Sequence, residues 1–251
     1  MSGISGISSQ NSYTALASGY RINSAADDAA GLAISEKLLK QENGFDIGTD
    51  NARDGQNLLN VAEGALSGIQ DSLQRIRELS VKSMNGLYSD SDKAAIQGEI
   101  DGLLQDIQST AKGTTFNTMK LLDGSMADIH LATNPQGGGL SIKMVNSTLE
   151  SLGIADYNVT KDFDLNAIDE AIDKISSARS TLGAQSNALS HVINYNENSS
   201  YNLVSANSRI KDTDYGEEMI KKNRDEALEQ YRIFGIKAKM NDNAGVLKLL
   251  T

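Results

Sequence analysis

Residues 59–80 have the sequence LNVAEGALSGIQDSLQRIRELS, and this stretch indicates the fold most clearly. Its apolar or small residues recur in alternating steps of three and four, which places them along one face of an α-helix. The members of this seam are Leu59, Ala62, Leu66, Ile69, Leu73, Ile76 and Ser80. The pattern predicts a long amphipathic helix that packs one narrow face against other helices.

The first seam continues weakly towards the N-terminus and ends clearly at Asn85-Gly86, a favourable helix stop. The weak continuation consists of Leu32, Leu38 and Ala52. Three glycines interrupt it, and glycine lowers helix propensity, so we expect weak points in the helix there. These glycines are Gly44, Gly48 and Gly55.

Two further seams follow in the sequence. After Ser89–Asp92, which offer N-cap residues, a second series extends to a stop at Gly113. Its members are Ile96, Ile100, Leu103 and Ile107. The third series is Leu165, Ile168, Ile172, Ile175, Leu182, Leu189 and Val192. Together the seams predict a mainly α fold, a long antiparallel helical bundle or coiled-coil rod. Spacing alone is equally compatible with a generic coiled coil.

Residues 114–164 interrupt the helical pattern. They include the single proline of the sequence, Pro135, and the run Gly137–Gly139. Short alternating segments lie on either side, at Ile129–Leu131 and Leu140–Met144. Alternation bounded by glycine-rich turns is typical of strands, so we predict a small β-hairpin region here.

Composition excludes several classes of function. The net charge of −10 disfavours a nucleic-acid surface, which requires clustered cations. The absence of cysteine excludes disulfides and thiolate metal sites. No apolar run approaches the roughly 20 residues that span a bilayer, so we expect no membrane insertion. The N-terminus also lacks the basic and apolar regions of a secretory signal.

No constellation of residues predicts catalysis. The two histidines, His130 and His191, lie in different segments without metal-ligand spacing, and there is no phosphate-binding loop. Carboxylates such as Asp54 and Asp212 lie in polar stretches, where capping and surface pairing are the expected roles. We therefore predict no catalytic, cofactor-binding or metal site.

The two ends of the protein require a different explanation. Residues 1–16 are rich in serine, glycine and asparagine, whereas residues 216–250 favour a helix with an apolar stripe and an apolar last turn. The stripe and last turn include Met219, Ile220, Leu228, Tyr231, Phe234, Leu247 and Leu250. A terminal helix of this kind needs a partner surface. If the same molecule offers none, the partner is another copy, and both ends become ordered on assembly.

The stretch LASGYRINSAADDAAGLAI, residues 16–34, closely resembles the signature of bacterial flagellins. Asn51–Gly55, Leu73–Leu79 and Ser208–Tyr215 support the resemblance in the same order and with similar spacing. The resemblance extends over nearly the whole sequence. It implies a short flagellin without outer variable domains, because residues 114–164 leave room for little more than a hairpin.

The resemblance implies three structural parts. Residues 1–28 would form an N-terminal core helix and connector, residues 29–214 a helical rod with the hairpin region, and residues 215–251 a C-terminal core helix. The two terminal helices would pair in the core of a tubular filament. Few residues precede Arg21, so we expect that these helices do not pair along their full lengths. Either the tube lining is built mostly from C-terminal helices, or the N-terminal start is truncated or unusual. The connector residues would be Arg21, Ile22, Asn23, Asp27 and Asp28.

The resemblance also implies a function. The protein would be a non-enzymatic structural subunit of the flagellar filament, a helical homopolymer that serves motility. It would be exported unfolded by the flagellar type III apparatus with a chaperone, without a cleaved signal peptide. It would then assemble outside the cell beside the filament cap and hook-associated proteins.

A further implied partner is a host Toll-like receptor of innate immunity. Gln74, Arg75, Leu79 and Glu99 match the family's receptor-contact motif, although the same residues could serve subunit contacts. Two alternative functions are a hook–filament junction protein and a flagellin that carries an inserted enzyme. The second would require an inserted domain with a metal motif.

Overall fold

The structure, a computed structural model, describes residues 12–249, with side chains as far as residue 241. Helix α1 comprises residues 12–18. The helices that follow are α2 (Ala29–Ser83), α3 (Asp90–Gly113), α4 (Leu149–Leu152), α5 (Leu165–Lys211) and α6 (Tyr215–Leu249). The strands are β1 (Thr115–Phe116), β2 (Met119–Lys120), β3 (Asp128–Ala132) and β4 (Gly139–Lys143). Long helices dominate, which confirms the predicted mainly α fold.

The protein divides into two compact units, each with its own contacts. One unit contains residues 43–199, and the other contains the described parts of 1–42 and 200–251. Helices α2 and α5 contribute residues to both units. The predicted layer boundaries after residues 28 and 214 concern the assembled state and stay a prediction.

The unit of residues 43–199 is built around one helical core. Every member of the first seam is buried, from Leu59 to Ser80. Helices α3 and α5 contribute the buried residues Ile96, Ile100, Leu104, Ile107, Ile168, Ile175, Leu182 and Leu189. Helices α2 and α5 run antiparallel, because Gln56 donates to Ser190 (2.8 Å) and Arg77 donates to Asp169 (2.6 Å). The bundle prediction is confirmed.

Helix α3 begins and ends where the sequence predicted. The backbone N–H of Ser89 donates to the Asp92 carboxylate (2.9 Å), and the N–H of Asp92 donates to the Ser89 hydroxyl (3.2 Å). This reciprocal pair satisfies two otherwise unpaired donors at the helix start. The helix ends at Gly113.

The hairpin region is also present. Strands β3 and β4 pair antiparallel, with Ile129 opposite Ile142 and Leu131 opposite Leu140. The turn between them includes Gly137, whose φ of +83° favours glycine. Strands β1 and β2 form a second antiparallel pair of two residues each.

The glycines of α2 do not interrupt the helix, which is continuous from Ala29 to Ser83. The hairpin segment packs directly on these positions. A Cβ atom on Gly48 would lie 2.5 Å from the carbonyl oxygen of Thr133, and one on Gly44 would lie 2.6 Å from Cβ of Pro135. The side-chain amides of Asn51 and Asn196 donate to the carbonyls of Ala132 (2.7 Å) and Thr133 (2.8 Å). The glycines therefore make room for the β segment.

Across residues 12–249, none of the helices has both the length and the apolar character required to cross a membrane.

Candidate functional site

The connector predicted around Arg21 pairs with the junction between α5 and α6. The backbone N–H of Arg21 donates to the carbonyl of Lys211 (2.7 Å), and the N–H of Thr213 donates to the carbonyl of Gly19 (3.0 Å). The Arg21 guanidinium also donates to the carbonyl of Ile210 (2.6 Å). Segments far apart in sequence are thus joined by backbone hydrogen bonds, which sequence periodicity does not reveal.

The two adjacent carboxylates of the connector have separate roles. Asp27 accepts hydrogen bonds from the N–H of Asn23 (3.1 Å) and from the N–H and hydroxyl of Ser24 (2.9 and 3.0 Å). The backbone donor of Ser24, followed by that of Asn23, lowers the pKa of the Asp27 carboxyl. Asp28 instead accepts from the N–H of Gly31 (2.8 Å) at the start of α2.

Ile22 holds the connector against the start of α2. Its side chain is fully buried. A Cβ atom on Gly31 would lie 2.7 Å from Cδ1 of Ile22 and 2.4 Å from Oδ2 of Asp28, so glycine permits both approaches. The structure thus brings all five predicted connector residues into one ordered segment. Their role between filament layers stays a prediction.

Helix α1 contacts α6 through aromatic and charged side chains. The Tyr13 hydroxyl donates to the Glu226 carboxylate, and Lys222 Nζ lies 4.9 Å from the centre of the Tyr13 ring. The Tyr215 hydroxyl donates to the carbonyl of Leu16. The Tyr13 hydrogen bond lowers the pKa of Glu226 and raises the pKa of Tyr13. These contacts were not predicted from the sequence, although the tyrosines among largely small and polar residues were an available signal.

Helix α6 exposes an unusual amount of apolar surface. All five predicted assembly residues with described side chains are exposed, and the exposed fractions of Tyr231 and Phe234 are 77% and 73%. The five are Met219, Ile220, Leu228, Tyr231 and Phe234. The side chain of Leu247 and the whole of Leu250 lie outside the described residues.

Most of the exposed apolar residues of α6 form two arcs around the helix, and Leu228 lies between these arcs. At 3.6 residues per turn, Ile220, Tyr231 and Phe234 share one arc, where a surface groove of about 550 Å³ is lined by Ala227, Gln230, Tyr231 and Phe234. The second arc contains Met219, Ile233, Ile236 and Met240, all exposed. The last three of these were not predicted from the sequence. The seven-residue step from Ile233 to Met240 would have revealed them.

The predicted receptor-contact residues separate into two groups. Gln74 and Arg75 are exposed on α2, and the Arg75 guanidinium donates to the Glu99 carboxylate of α3 at 2.8 and 3.0 Å. Arg75 also donates to Glu78 (3.1 Å). Leu79, by contrast, is only 2% exposed and belongs to the bundle core. The surface cluster therefore consists of Gln74, Arg75 and Glu99, with Leu79 beneath it.

The described residues contain no group of three or more histidine, aspartate or glutamate side chains that could hold a metal ion. The structure instead exposes a series of apolar side chains along α6, a surface suited to contact with another macromolecule.

Family models, related sequences and solved structures all match this protein. Residues 5–127 match the family model described as the bacterial flagellin N-terminal helical region, and residues 165–250 match the bacterial flagellin C-terminal helical region. A flagellin of Halalkalibacterium halodurans is 39% identical over 229 residues, which cover 88% of this protein and 84% of the relative. The flagellar filament core protein flaB2 of Brachyspira hyodysenteriae is 33% identical over 256 residues, covering 94% and 90%. The crystal structure of Bacillus cereus flagellin has a TM-score of 0.53 at 27% identity, covering 59% of this protein and 88% of that one.

Proposed function

We propose how this protein, which belongs to the bacterial flagellin family and is a structural subunit of the flagellar filament, assembles. Neighbouring copies cover the exposed apolar side chains of α6. The observation that carries the proposal is the exposure of Tyr231 and Phe234 on a helix of 35 residues. Isolated soluble proteins rarely present contiguous apolar surface of this kind unless another molecule covers it.

Burial of the Tyr231 and Phe234 side chains would contribute a favourable free energy to assembly. Each large aromatic side chain offers about 150–250 Å² of surface, and burial of apolar surface contributes about 25 cal/mol per Å². Covering both rings would therefore contribute several kcal/mol per subunit before the entropy of association is subtracted. Repetition along a polymer multiplies this contribution, because each subunit makes the contact with more than one neighbour.

The two apolar arcs of α6 support open growth. Ile220, Tyr231 and Phe234 face one way, while Ile233 and Met240 face another, so a single partner helix cannot cover both arcs. Contacts that join different surfaces of neighbouring copies are heterologous and generate helical polymers when the ring does not close. In a helical homopolymer, different neighbouring copies cover the two arcs.

Deletion and substitution on α6 test this proposal. We expect a protein lacking residues 216–251 to remain a helical monomer, and the pair Tyr231→Ser and Phe234→Ser to prevent growth on preformed seeds. Leu87→Ser is a matched control, because Leu87 is 90% exposed in the turn between α2 and α3. Negative-stain microscopy after seeding gives the readout. Long filaments from the deletion variant or the double variant would contradict the proposal.

Export in an unfolded state is the second part of the proposal. The sequence has no cysteine and one proline, so the protein forms no cross-links in transit and has little slow isomerisation. Its partners on this route would be an export chaperone, the flagellar export apparatus, and the filament cap and hook-associated proteins outside the cell. Fusion of a stably folded domain to the protein should block its secretion by a flagellated host. Intact mass measurement of the secreted protein should show an uncleaved N-terminus.

Recognition by a host Toll-like receptor is a further proposed activity, favoured by the exposed cluster of Gln74, Arg75 and Glu99. We expect Arg75→Ala to weaken receptor activation by the monomer. Arg53→Ala is a matched control, because Arg53 lies on α2 like Arg75. It forms a similarly exposed ion pair with Glu197 of α5 (2.7 Å). A reporter-cell dose response that Arg75→Ala and Arg53→Ala change equally would remove Arg75 from the contact set.

The alternative function, a hook–filament junction protein, fits the comparisons less well than a filament subunit. Matches to both terminal flagellin regions and to a filament core protein favour the subunit. Purified junction protein would yield short capped stubs, whereas a subunit yields filaments whose length increases with the amount of added protein.

A further inference from the structure

Two Asn-Gly dipeptides occur in contrasting settings, Asn43-Gly44 and Asn85-Gly86. The first lies inside helix α2, and the second lies in the turn between α2 and α3. Both asparagines are exposed to solvent. The two sites therefore share sequence and asparagine exposure but differ in backbone conformation.

The turn site is arranged for reaction of the asparagine with its own backbone. The Asn85 side-chain oxygen accepts a hydrogen bond from the N–H of Leu87 (3.1 Å), which holds the side-chain amide over the following peptide. Gly86 is exposed, and a Cβ atom there would meet nothing within 4 Å. Among the described residues, the N–H of Gly86 has no hydrogen-bond acceptor, so this nitrogen is accessible and unhindered.

The helix site lacks each of these features. In the interior of α2, helix geometry directs the N–H of Gly44 to the carbonyl of Lys40. Gly44 is also covered by Pro135, whose Cβ would lie 2.6 Å from an added Cβ atom. Closing a ring at Asn43 would require the helix to open around it.

We propose that Asn85 is a site of spontaneous, conformation-controlled deamidation, whereas Asn43 is protected from the same reaction by helix α2. The Gly86 nitrogen loses its proton and attacks Cγ of Asn85, forming a new bond to it. The bond from Cγ to Nδ2 breaks, and the departing nitrogen takes up a proton and leaves as ammonia. The product is a five-membered succinimide. Water then opens either carbonyl of this ring and yields aspartate or isoaspartate at position 85.

The reaction changes a defined surface of the protein. Either product adds one negative charge to a molecule whose net charge is −10. Isoaspartate also inserts an extra atom into the backbone of the turn, next to the exposed side chains of Met84 and Leu87. If the protein serves outside the cell as the proposed filament subunit, converted molecules would accumulate with filament age. The chemistry itself does not depend on that function.

Peptide mapping of purified, folded protein after incubation at mildly alkaline pH provides the test. Trypsin releases residues 83–93, in which Asn85 is the one asparagine, and residues 41–53, which contain Asn43. Mass spectrometry with electron-transfer fragmentation identifies aspartate and isoaspartate at each position. We expect conversion at Asn85 with isoaspartate present, and conversion at Asn43 at least about tenfold slower. Gly86→Ala should slow conversion at Asn85 by roughly tenfold, since a methyl group on this residue hinders ring closure.

Denaturant provides the control for backbone conformation. In urea, where α2 is unfolded, we expect Asn43 and Asn85 to convert at similar rates. Circular dichroism before and after incubation confirms that the folded samples remain folded. Equal conversion rates at the two sites in folded protein would overturn the proposal. So would a folded protein in which Asn85 stays unchanged, if Asn43 converts when the protein is unfolded in urea.

Discussion

The Tyr13 hydroxyl donates a hydrogen bond to the Glu226 carboxylate, across 213 residues of sequence. This contact joins the first described helix to the last one, in the same unit as the connector hydrogen bonds of Arg21 and Thr213. Helix α1 and the first half of α6 are therefore linked in a single molecule, whereas the apolar arcs of α6 are left exposed. A filament subunit needs both features: a defined arrangement of its ends and uncovered surface for the next copy.

Tyr13→Phe should loosen α1 without removing the ring. The variant loses the hydroxyl donor to Glu226 but keeps the aromatic face beneath Lys222. We expect faster hydrogen exchange at the amides of residues 12–18 and little change in the bundle core. Tyr195→Phe, at a tyrosine that is 65% exposed on α5, is the control. Unchanged exchange in α1 would show that the hydroxyl contact is not formed in solution.

Acid should loosen the connector through Asp27. Hydrogen bonds to its carboxylate lower the folded-state pKa, so the stabilisation is present above the unfolded value of about 4 and is lost as the pH falls from there through the lower folded value. Protection of the connector amides, corrected for intrinsic exchange, should fall over that window. Asp27→Asn should remove the pH dependence, while Asp92→Asn, at the start of α3, should leave it intact. A connector that responds to acid equally in all three proteins would exclude this role of Asp27.

Two glycines on helix α2 should respond to alanine in opposite directions. Gly48→Ala forces a Cβ atom against the Thr133 carbonyl and should destabilise the protein by about 1–3 kcal/mol, as overpacking does. Gly64→Ala meets nothing within 4 Å and should stabilise it by roughly 0.5–1 kcal/mol through helix propensity. Urea unfolding gives both values. Equal effects of the two substitutions would mean that the hairpin does not pack on Gly48.

Local patterns predicted the helices and most of the core, although in α3 Leu104 is buried where the pattern predicted Leu103. The alternating steps from Leu59 to Ser80 specify which face is buried, because helix period and burial are linked at every turn. The same reasoning placed the start of α3 within Ser89–Asp92, and the structure has Ser89 as the N-cap, with hydrogen bonds that connect residues three apart. Leu79 lies three residues after the seam member Ile76, so its burial was also within reach of the pattern.

Long-range contacts were beyond these patterns. The sequence around Gly48 does not indicate that Thr133 packs on it, and the low helix propensity of glycine gives no information about that contact. The backbone hydrogen bond between Arg21 and Lys211 uses atoms that every residue has, so no residue type marks it. The flagellin resemblance supplied the connector where periodicity could not. The surface cluster of Arg75 and Glu99 also joins two helices whose relative placement comes only from packing.

The burial of α6 in the polymer can be measured directly. A reconstruction of filaments grown from this protein should show the rings of Tyr231 and Phe234, which are 77% and 73% exposed in the single molecule, packed against neighbouring copies and shielded from solvent. Filaments in which both rings still face solvent would contradict assembly through α6.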